Sequence, residues 1–418
     1  MSEELNSAIR NTKFNGYLRA DGRKGIRNRI LVVYLVECAH HVARQACSPF
    51  STDEVHLIGF PGCYPNEYAQ TMLEALCTHP NVGGVLLVSL GCEEFNRTRL
   101  FDAIEQSGRP VACLVIQESG GSAGTIEKAR SWIQDTLPLI TRDVPRVEMG
   151  LSDLVIGTKC GGSDGLSGIT ANPAIGVACD GMVDSGAAVI FEELGELFGC
   201  EAHMVDRAAS DGAGERIMAV MNNAKRYYSE IDHGSFGGGN ITGGLSTVEE
   251  KSLGAYTKSG TRPILDVLQP AEYPGKSGLY LMNMVSDGPV RFGYPNINDT
   301  TEVVEMIACG AHIVLFSTGR GSVVGSAISP VVKICSNPDT ARVMPGDMDV
   351  SAGKIIEGTA TLAEVGDEII ATVMRVAQGE QTLSEEQGHQ EFCLTYKRFD
   401  AVDIGRLGER GCHPAGRP

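Results

Sequence analysis

No stretch of this chain stays apolar for long enough to cross a membrane. The longest uninterrupted run, Ile30–Val36, is far short of the roughly 18 residues a span requires. Met1–Lys13 is polar and lacks the basic-then-apolar build of a secretion signal. Basic residues are in deficit as well: 35 Lys and Arg against 52 Asp and Glu give a net charge of −17. A nucleic-acid partner needs a basic face, so that class is excluded. The same deficit means that an anionic substrate must be met by local basic groups. The spacing that staples small secreted domains is also missing: the thirteen cysteines are odd in number and include no C-x-x-C pair. A reduced, cytoplasmic setting is predicted, with thiols available for metal binding or chemistry. The nine histidines form neither H-E-x-x-H nor a serine-protease arrangement, so zinc or triad hydrolysis gains little support. Internal repeats and low-complexity tracts are absent.

What is present reads as a globular α/β protein. A length of 418 residues leaves room for two or three domains with real cores. Short β-branched runs at Ile30–Val36, Val55–Ile58, Val85–Leu90 and Val111–Ile116 alternate with helical segments at Ala39–Ala46, Glu67–His79, Thr98–Ser107 and Thr125–Thr136. This alternation predicts a mostly parallel sheet with helices on both faces and ligands beyond the carboxyl ends of its strands. Asp135–Glu148 reads as a connection. A second, glycine-richer α/β region follows, with strands near Asp153–Ile156, Ala188–Phe191, Leu279–Met282, Ile313–Phe316 and Val331–Cys335. Its helices are predicted at Asp206–Tyr228, Thr300–Cys309 and Leu362–Ala377. The expected fold is therefore α/β with two Rossmann-like parallel-sheet regions and glycine-rich active-site loops. Its N-terminal domain would span 14–140, its C-terminal domain 150–398, and a loose tail 399–418. A dinucleotide fingerprint is missing, because the first β–α turn, Val36–His41, has no glycine.

The most informative segment is Lys159-Cys160-Gly161-Gly162-Ser163-Asp164-Gly165, where a strand ends in a cysteine and a helix begins near Ala171. Backbone N–H groups at such a turn cradle anions and bias a neighbouring thiol toward thiolate. A plain strand-to-helix turn with a buried cysteine is the bland alternative. Cys38, Cys63 and Cys92 also follow strands, so four sulfurs at strand ends could converge on iron. Each one taken alone reads better as core, since free cysteine is usually buried. In Gly234–Gly244, glycines crowd around Asn240 and Thr242, which suits close approach to a ligand or a hinge. Lys251 and Lys258 follow with a spacing that puts both on one helical face, as base, anion clamp or solvated pair. Ser317–Ser326 contains Thr318 and Arg320 but neither phosphate-loop spacing nor a Gly-Lys-Ser/Thr ending, so a small anion on Arg320 fits better than a nucleotide. The acidic run Glu192-Glu193-Leu194-Gly195-Glu196 follows a strand; it could supply a metal ligand or base, or open an exposed helix.

Taken together these stretches resemble the altronate/galactarate dehydratase family. The matching pieces are Gly16-Tyr17-Leu18-Arg19 with Asp21-Gly22-Arg23, Leu90-Gly91-Cys92-Glu93, Cys160–Gly165, Ala171-Asn172-Pro173, Asp266-Val267-Leu268 and Phe316–Gly321. Sugar-acid dehydratases of the family carry an extra small β-rich domain ahead of this region, and the chain has none. The resemblance is strongest to the branch that splits the two parts between subunits, acts on (2R)-3-sulfolactate and releases sulfite. It implies a carbon–sulfur lyase large subunit with a separate small β-rich subunit in a hetero-oligomer. A split sugar-acid dehydratase is the alternative. It also implies iron, as Fe2+ or iron–sulfur, which we assign to Cys160, Cys63 and Cys92. Gly161, Gly162 and Ser163 would hold the substrate carboxylate, Arg320 and Lys333 the sulfonate, with Asn240 and Thr318 beside them. Lys251 or Glu193 would be the base, and Asp164 completes the catalytic set. Such a reaction removes the proton on the carbon bearing hydroxyl and carboxylate, and the resulting enediolate needs a metal or several donors.

Overall fold

In the computed structural model of the chain, residues 11–232, 234, 236–288 and 297–398 are described. The predicted tail, 399–418, lies outside them. The strands are β1 (Phe14–Leu18), β2 (Lys24–Gly25), β3 (Arg29–Tyr34), β4 (Val55–Gly59), β5 (Val82–Ser89), β6 (Val111–Val115), β7 (Arg146–Met149) and β8 (Val155–Cys160). They continue with β9 (Ala188–Phe191), β10 (Ile264–Leu268), β11 (Gly278–Met282), β12 (Ile313–Thr318), β13 (Val331–Cys335) and β14 (Val350–Ser351). Two parallel sheets result, one ordered β4-β3-β5-β6 and the other β10-β11-β9-β8-β12-β13-β14. The α/β expectation holds.

Burial on both faces explains the apolar runs. Every residue of β5 is buried, and β3 alternates its contacts: Leu31 and Val33 join the large core that also holds Ile156 and Phe316, whereas Ile30 and Val32 face a smaller core with Ala129 and Ile133. The helix Glu37–Cys47 buries Ala39, Val42, Ala43 and Ala46, the stripe that a 3.6-residue period places on one side. Asn66 and Asn298 cap the helices Glu67–Cys77 and Asp299–Ala308 by accepting from Ala69 N and Thr301 N at 3.1 and 2.9 Å.

Two expectations need correction, and one small sheet was not foreseen. Asp135–Glu148 is not a connection: the helix Gly121–Asp143 runs through Pro138, and β7 follows. Thr136 and Ile140 are buried on either side of that proline, so packing carries the helix past the lost N–H. The helix predicted at Asp206–Tyr228 is two, Glu201–Asp206 and Asp211–Glu230, because Ser210 is extended and its Oγ accepts from Ala213 N at 3.2 Å. A small antiparallel sheet, β2-β1-β7, escaped the reading altogether. Its strands are short, and Gly16 faces Val147 where a Cβ would meet Met149 Sδ at 1.9 Å, so no apolar period marks it.

Buried polar groups tie the two parallel sheets together. Arg27 and Arg29 both reach Glu385, and His56 Nδ1 accepts from Ile328 N at 2.9 Å. Tyr68 Oη donates to Glu305 Oε1 at 2.6 Å, and Lys397 Nζ binds Glu305 Oε2 at 3.0 Å. No helix of the described residues is long and apolar enough to cross a membrane.

Candidate functional site

The larger sheet reverses its winding at β8, with β9 on one side and β12 on the other. Crevices at such switch points, beyond the carboxyl ends of the strands, are where α/β sheets place ligands. Cys160 is the last residue of β8 and pairs with Ser317 of β12. Immediately after β9 the chain turns through Glu192 and Glu193. Glu193 is left-handed at φ 84°, a conformation that costs a non-glycine residue about 1–2 kcal/mol and persists where its surroundings fix it. That turn directs the Glu193 carboxylate back at Cys160: its oxygens accept from Cys160 N at 2.9 Å and Lys159 Nζ at 3.0 Å, and stand 3.2 Å from Cys160 Sγ. Glu196 adds a second carboxylate, also 3.2 Å from the sulfur.

The helix Val248–Thr257 brings two lysines to the same sulfur. Lys251 Nζ lies 3.7 Å from Cys160 Sγ, 2.7 Å from Glu196 and 2.6 Å from Ser163 Oγ. Lys258, which caps the helix, lies 3.5 Å from the sulfur and in contact with Glu193. The spacing of these two lysines therefore does place both on one face, and that face is the site. The approach depends on glycine: a Cβ on Gly176 would meet Thr257 O at 2.2 Å, and a Cβ on either Gly168 or Gly254 would stand 2.9 Å from the other's Cα.

Behind Cys160, Lys159 sits in a cage of Glu192 at 3.4 Å, Glu193, Asp299 at 3.4 Å and Glu302. Burial pulls the Lys159 ammonium down, but Glu192, Glu302 and Asp299 outweigh it and hold the group well above its ordinary range. Burial pushes Glu192 up to about 7 against the pull of Lys159 and Lys258. Burial, then the Glu192 charge, pushes Glu302 up to about 8. Lys251 is drawn down by burial and raised further by Cys160 and Glu196, so its charged form prevails. For Lys258 burial prevails and the ammonium falls below its usual range. Three lysines thus face five carboxylates and a thiol, an excess of negative charge that a cation or protons would offset.

The donor set suits a cation. Ligand atoms of Cys160, Glu193 and Glu196 lie within 4.8 Å of one another, forming the group of His, Cys, Asp or Glu side chains among the described residues that could hold a metal ion. One sulfur and two carboxylates match a divalent ion of intermediate softness. Glu192, buried and held by its 3.4 Å ion pair with Lys159, makes no closer hydrogen bond among the described residues and stands beside the set.

Not every residue singled out from the sequence comes to this centre. Cys63 and Cys92 are exposed and do not join the Cys160 group. Gly161, Gly162 and Ser163 line it: the N–H groups of Gly162 and Ser163 have no acceptor among the described residues, and Gly162 is left-handed at φ 61°. Thr318 Oγ1 is buried without a hydrogen-bond partner there, 3.2 Å from where a Cβ on Gly162 would stand. Asp164 is occupied by its own loop and the one after β13, accepting from Leu166 N, Ser167 Oγ, Ser336 Oγ and Asn337 Nδ2 at 2.8–3.1 Å. Asn240 Oδ1 accepts from Gly237 N at 3.0 Å, capping the short helix Gly238–Thr242. Arg320 is exposed and donates to Gly239 O at 2.9 Å, so the glycine-rich segment lies over the loop after β12. Lys333 is fully buried and donates to Ser384 Oγ and to Val324 O, outside the Cys160 group. Lys159, Glu302 and Asp299 were missed. Lys159 immediately precedes Cys160, whereas the carboxylates come from a helix that only the sheet order brings alongside β8.

A thiol, lysines, carboxylates and bare N–H groups thus meet at a switch point, a set of groups able to exchange protons and to hold an anion. The chain's sequence defines the class. Residues 151–399 match the C-terminal domain of D-galactarate/altronate dehydratase, and residues 16–141 match the second domain of D-galactarate dehydratase/altronate hydrolase. The chain belongs to this family of lyases. It is 32% identical over 408 residues to the (2R)-sulfolactate sulfo-lyase subunit beta of Chromohalobacter salexigens, covering 93% of this chain and 98% of that subunit. It is also 32% identical over 396 residues to the altronate dehydratase of Escherichia coli, covering 90% of this chain and 76% of the enzyme. The galactarate dehydratase (L-threo-forming) of Escherichia coli is 30% identical over 405 residues, with 90% and 75% covered.

Proposed function

We propose that the chain is the large subunit of a carbon–sulfur lyase that eliminates sulfite from (2R)-3-sulfolactate to leave pyruvate. The observation that carries this reading is the 32% identity over 408 residues to a relative named as a beta subunit of a (2R)-sulfolactate sulfo-lyase. A separate small subunit would then complete the enzyme. A second reading, a dehydratase of altronate or galactarate, is favoured by the equal identity to altronate dehydratase.

Either reading uses the centre in one way. Cys160, Glu193 and Glu196 would hold a divalent ion, iron by family resemblance, which when bound supplies positive charge to an enediolate. Gly162 and Ser163 N–H bind the substrate carboxylate. Lys251, 2.6 Å from Ser163 Oγ and held charged against its burial by Cys160 and Glu196, is placed to hold the developing negative charge rather than to take the α-proton. Glu193, if not spent on the ion, is the base. Arg320, exposed at the rim, would hold the sulfonate. Sulfite departs as a stable anion, whereas hydroxide would need an acid, which is the chemical difference between the two readings.

The test is direct. The chain, reconstituted anaerobically with Fe(II) and its small subunit, is given racemic 3-sulfolactate, and pyruvate and sulfite are measured. Equal release of both is expected. No release, with 2-oxo acid formed from altronate or galactarate, would replace the first reading by the second.

A further inference from the structure

Twelve of the thirteen cysteines are described, and three of them are exposed: Cys38, Cys63 and Cys92. Free cysteine is ordinarily among the most buried residues, so three exposed thiols call for a reason. They are not scattered. In the register of the smaller sheet, Tyr34 of β3 pairs with Gly59 of β4 and with Val88 of β5. Cys38, Cys63 and Cys92 each fall four positions beyond those aligned residues, since 34, 59 and 88 plus 4 give 38, 63 and 92. The sheet reverses its winding here too, at β3, so the thiols crown its switch point.

Hydrogen bonds draw the three loops together above the sheet. Glu37 N donates to Pro61 O at 3.1 Å, and Glu94 N donates to Cys63 O at 2.9 Å. Glu93 accepts from Gly91 N at 2.8 Å and from Ser89 Oγ, which folds the loop carrying Cys92, with Gly91 left-handed at φ 117°. Cys38 lies in the first turn of its helix. The sulfurs are not grouped within 4.8 Å of one another. Thiolates around a cluster stand farther apart than those around a single ion, and exposed side chains turn freely about χ1.

We infer that Cys38, Cys63 and Cys92 seat an iron–sulfur cluster of the four-iron class, three irons held by thiolates and the fourth open to a small ligand. Each thiol releases its proton on binding; sulfide and Fe(III) are supplied from outside the chain, and the added thiol reductant converts half of that iron to Fe(II) as it is oxidised to its disulfide. This centre is separate from the Cys160 group and does not depend on the substrate reading.

The experiment is anaerobic reconstitution of the full chain with iron, sulfide and a thiol reductant. Acid-labile sulfide per chain and the Mössbauer spectrum are measured. Wild type and Cys160→Ser should hold equal labile sulfide. Cys38→Ser, Cys63→Ser and Cys92→Ser should each lose more than half of it while keeping the melting temperature of the metal-free wild type. Wild type without labile sulfide, one iron bound without sulfide, or a triple Cys38→Ser, Cys63→Ser, Cys92→Ser variant that keeps the cluster would each overturn the assignment.

Discussion

Glu193 combines a left-handed backbone with a carboxylate that touches Lys159, Cys160 and Lys258. Replacing it by glutamine keeps the shape and removes the charge that offsets two buried ammonium groups. Turnover of Glu193→Gln should fall about 100-fold or more, as for loss of a positioned acid–base or electrostatic group. Cys160→Ser should abolish turnover and ion binding at the Cys160 group while leaving the fold intact. Steady-state kinetics with a melting curve for each variant checks both; a fully active, folded Cys160→Ser protein would end the assignment. At this scale the sequence was half legible. A cysteine at a strand end, an acidic run after the next strand and two lysines on one helical face were all visible, because each is a local pattern. Lys159 was visible only as a neighbour, since nothing local distinguishes a caged lysine from a solvated one. Glu302 was invisible because its partner is 143 positions away in sequence (302 minus 159).

Between elements, the contact that sets the centre is glycine-mediated. The helices Ala171–Asp184 and Val248–Thr257 approach so closely that Gly176 leaves no room for a methyl group against Thr257 O. Gly176→Ala should cost about 1–3 kcal/mol through overpacking. It should also lower kcat, because the helix it displaces carries Lys251 and Lys258. A denaturant titration and a kcat measurement test this together; wild-type values in both would show that the approach is not limiting. Elements with a clear apolar period were legible, and those defined by pairing were not. β1, β2 and β7 are held by register with one another, and the break near Ser210 is made by a cap rather than a change of composition. Sequence separation hides such partners.

Across the whole molecule, buried titratable groups hold the two sheets together. His56 donates through Nε2 to Thr52 O, accepts at Nδ1 from Ile328 N, and lies against Arg29. Burial, followed by the Arg29 charge, drives its pKa well below the ordinary value. A depressed histidine is neutral when folded and charged when unfolded in acid. Its stabilisation is complete above about pH 6.5 and is lost as pH falls below that toward the folded value. Melting temperatures of wild type and His56→Gln, followed from pH 7.5 to 5 (a range set about the ordinary histidine value), should show a shallower acid loss in the variant. Parallel curves would sink this account. Glu385→Ala should be harsher, costing about 3–5 kcal/mol, because it strands Arg27 and Arg29 in the interior.

The seam formed by Arg27 and Glu385 spans 358 positions of sequence, and that separation acts before the protein is finished. At a synthesis rate of about 5–20 residues per second, the arginines leave the ribosome tens of seconds before their carboxylate. His56 likewise waits for Ile328, and Asn66 for the carbonyl of Lys397. The first sheet can pair its strands early, but the surface that will face the second sheet stays uncovered until Glu385 and Lys397 have emerged. The emergence of that late segment, rather than completion of either sheet, is therefore the event that closes this seam, and a nascent chain stalled before Glu385 is the form most in need of a chaperone.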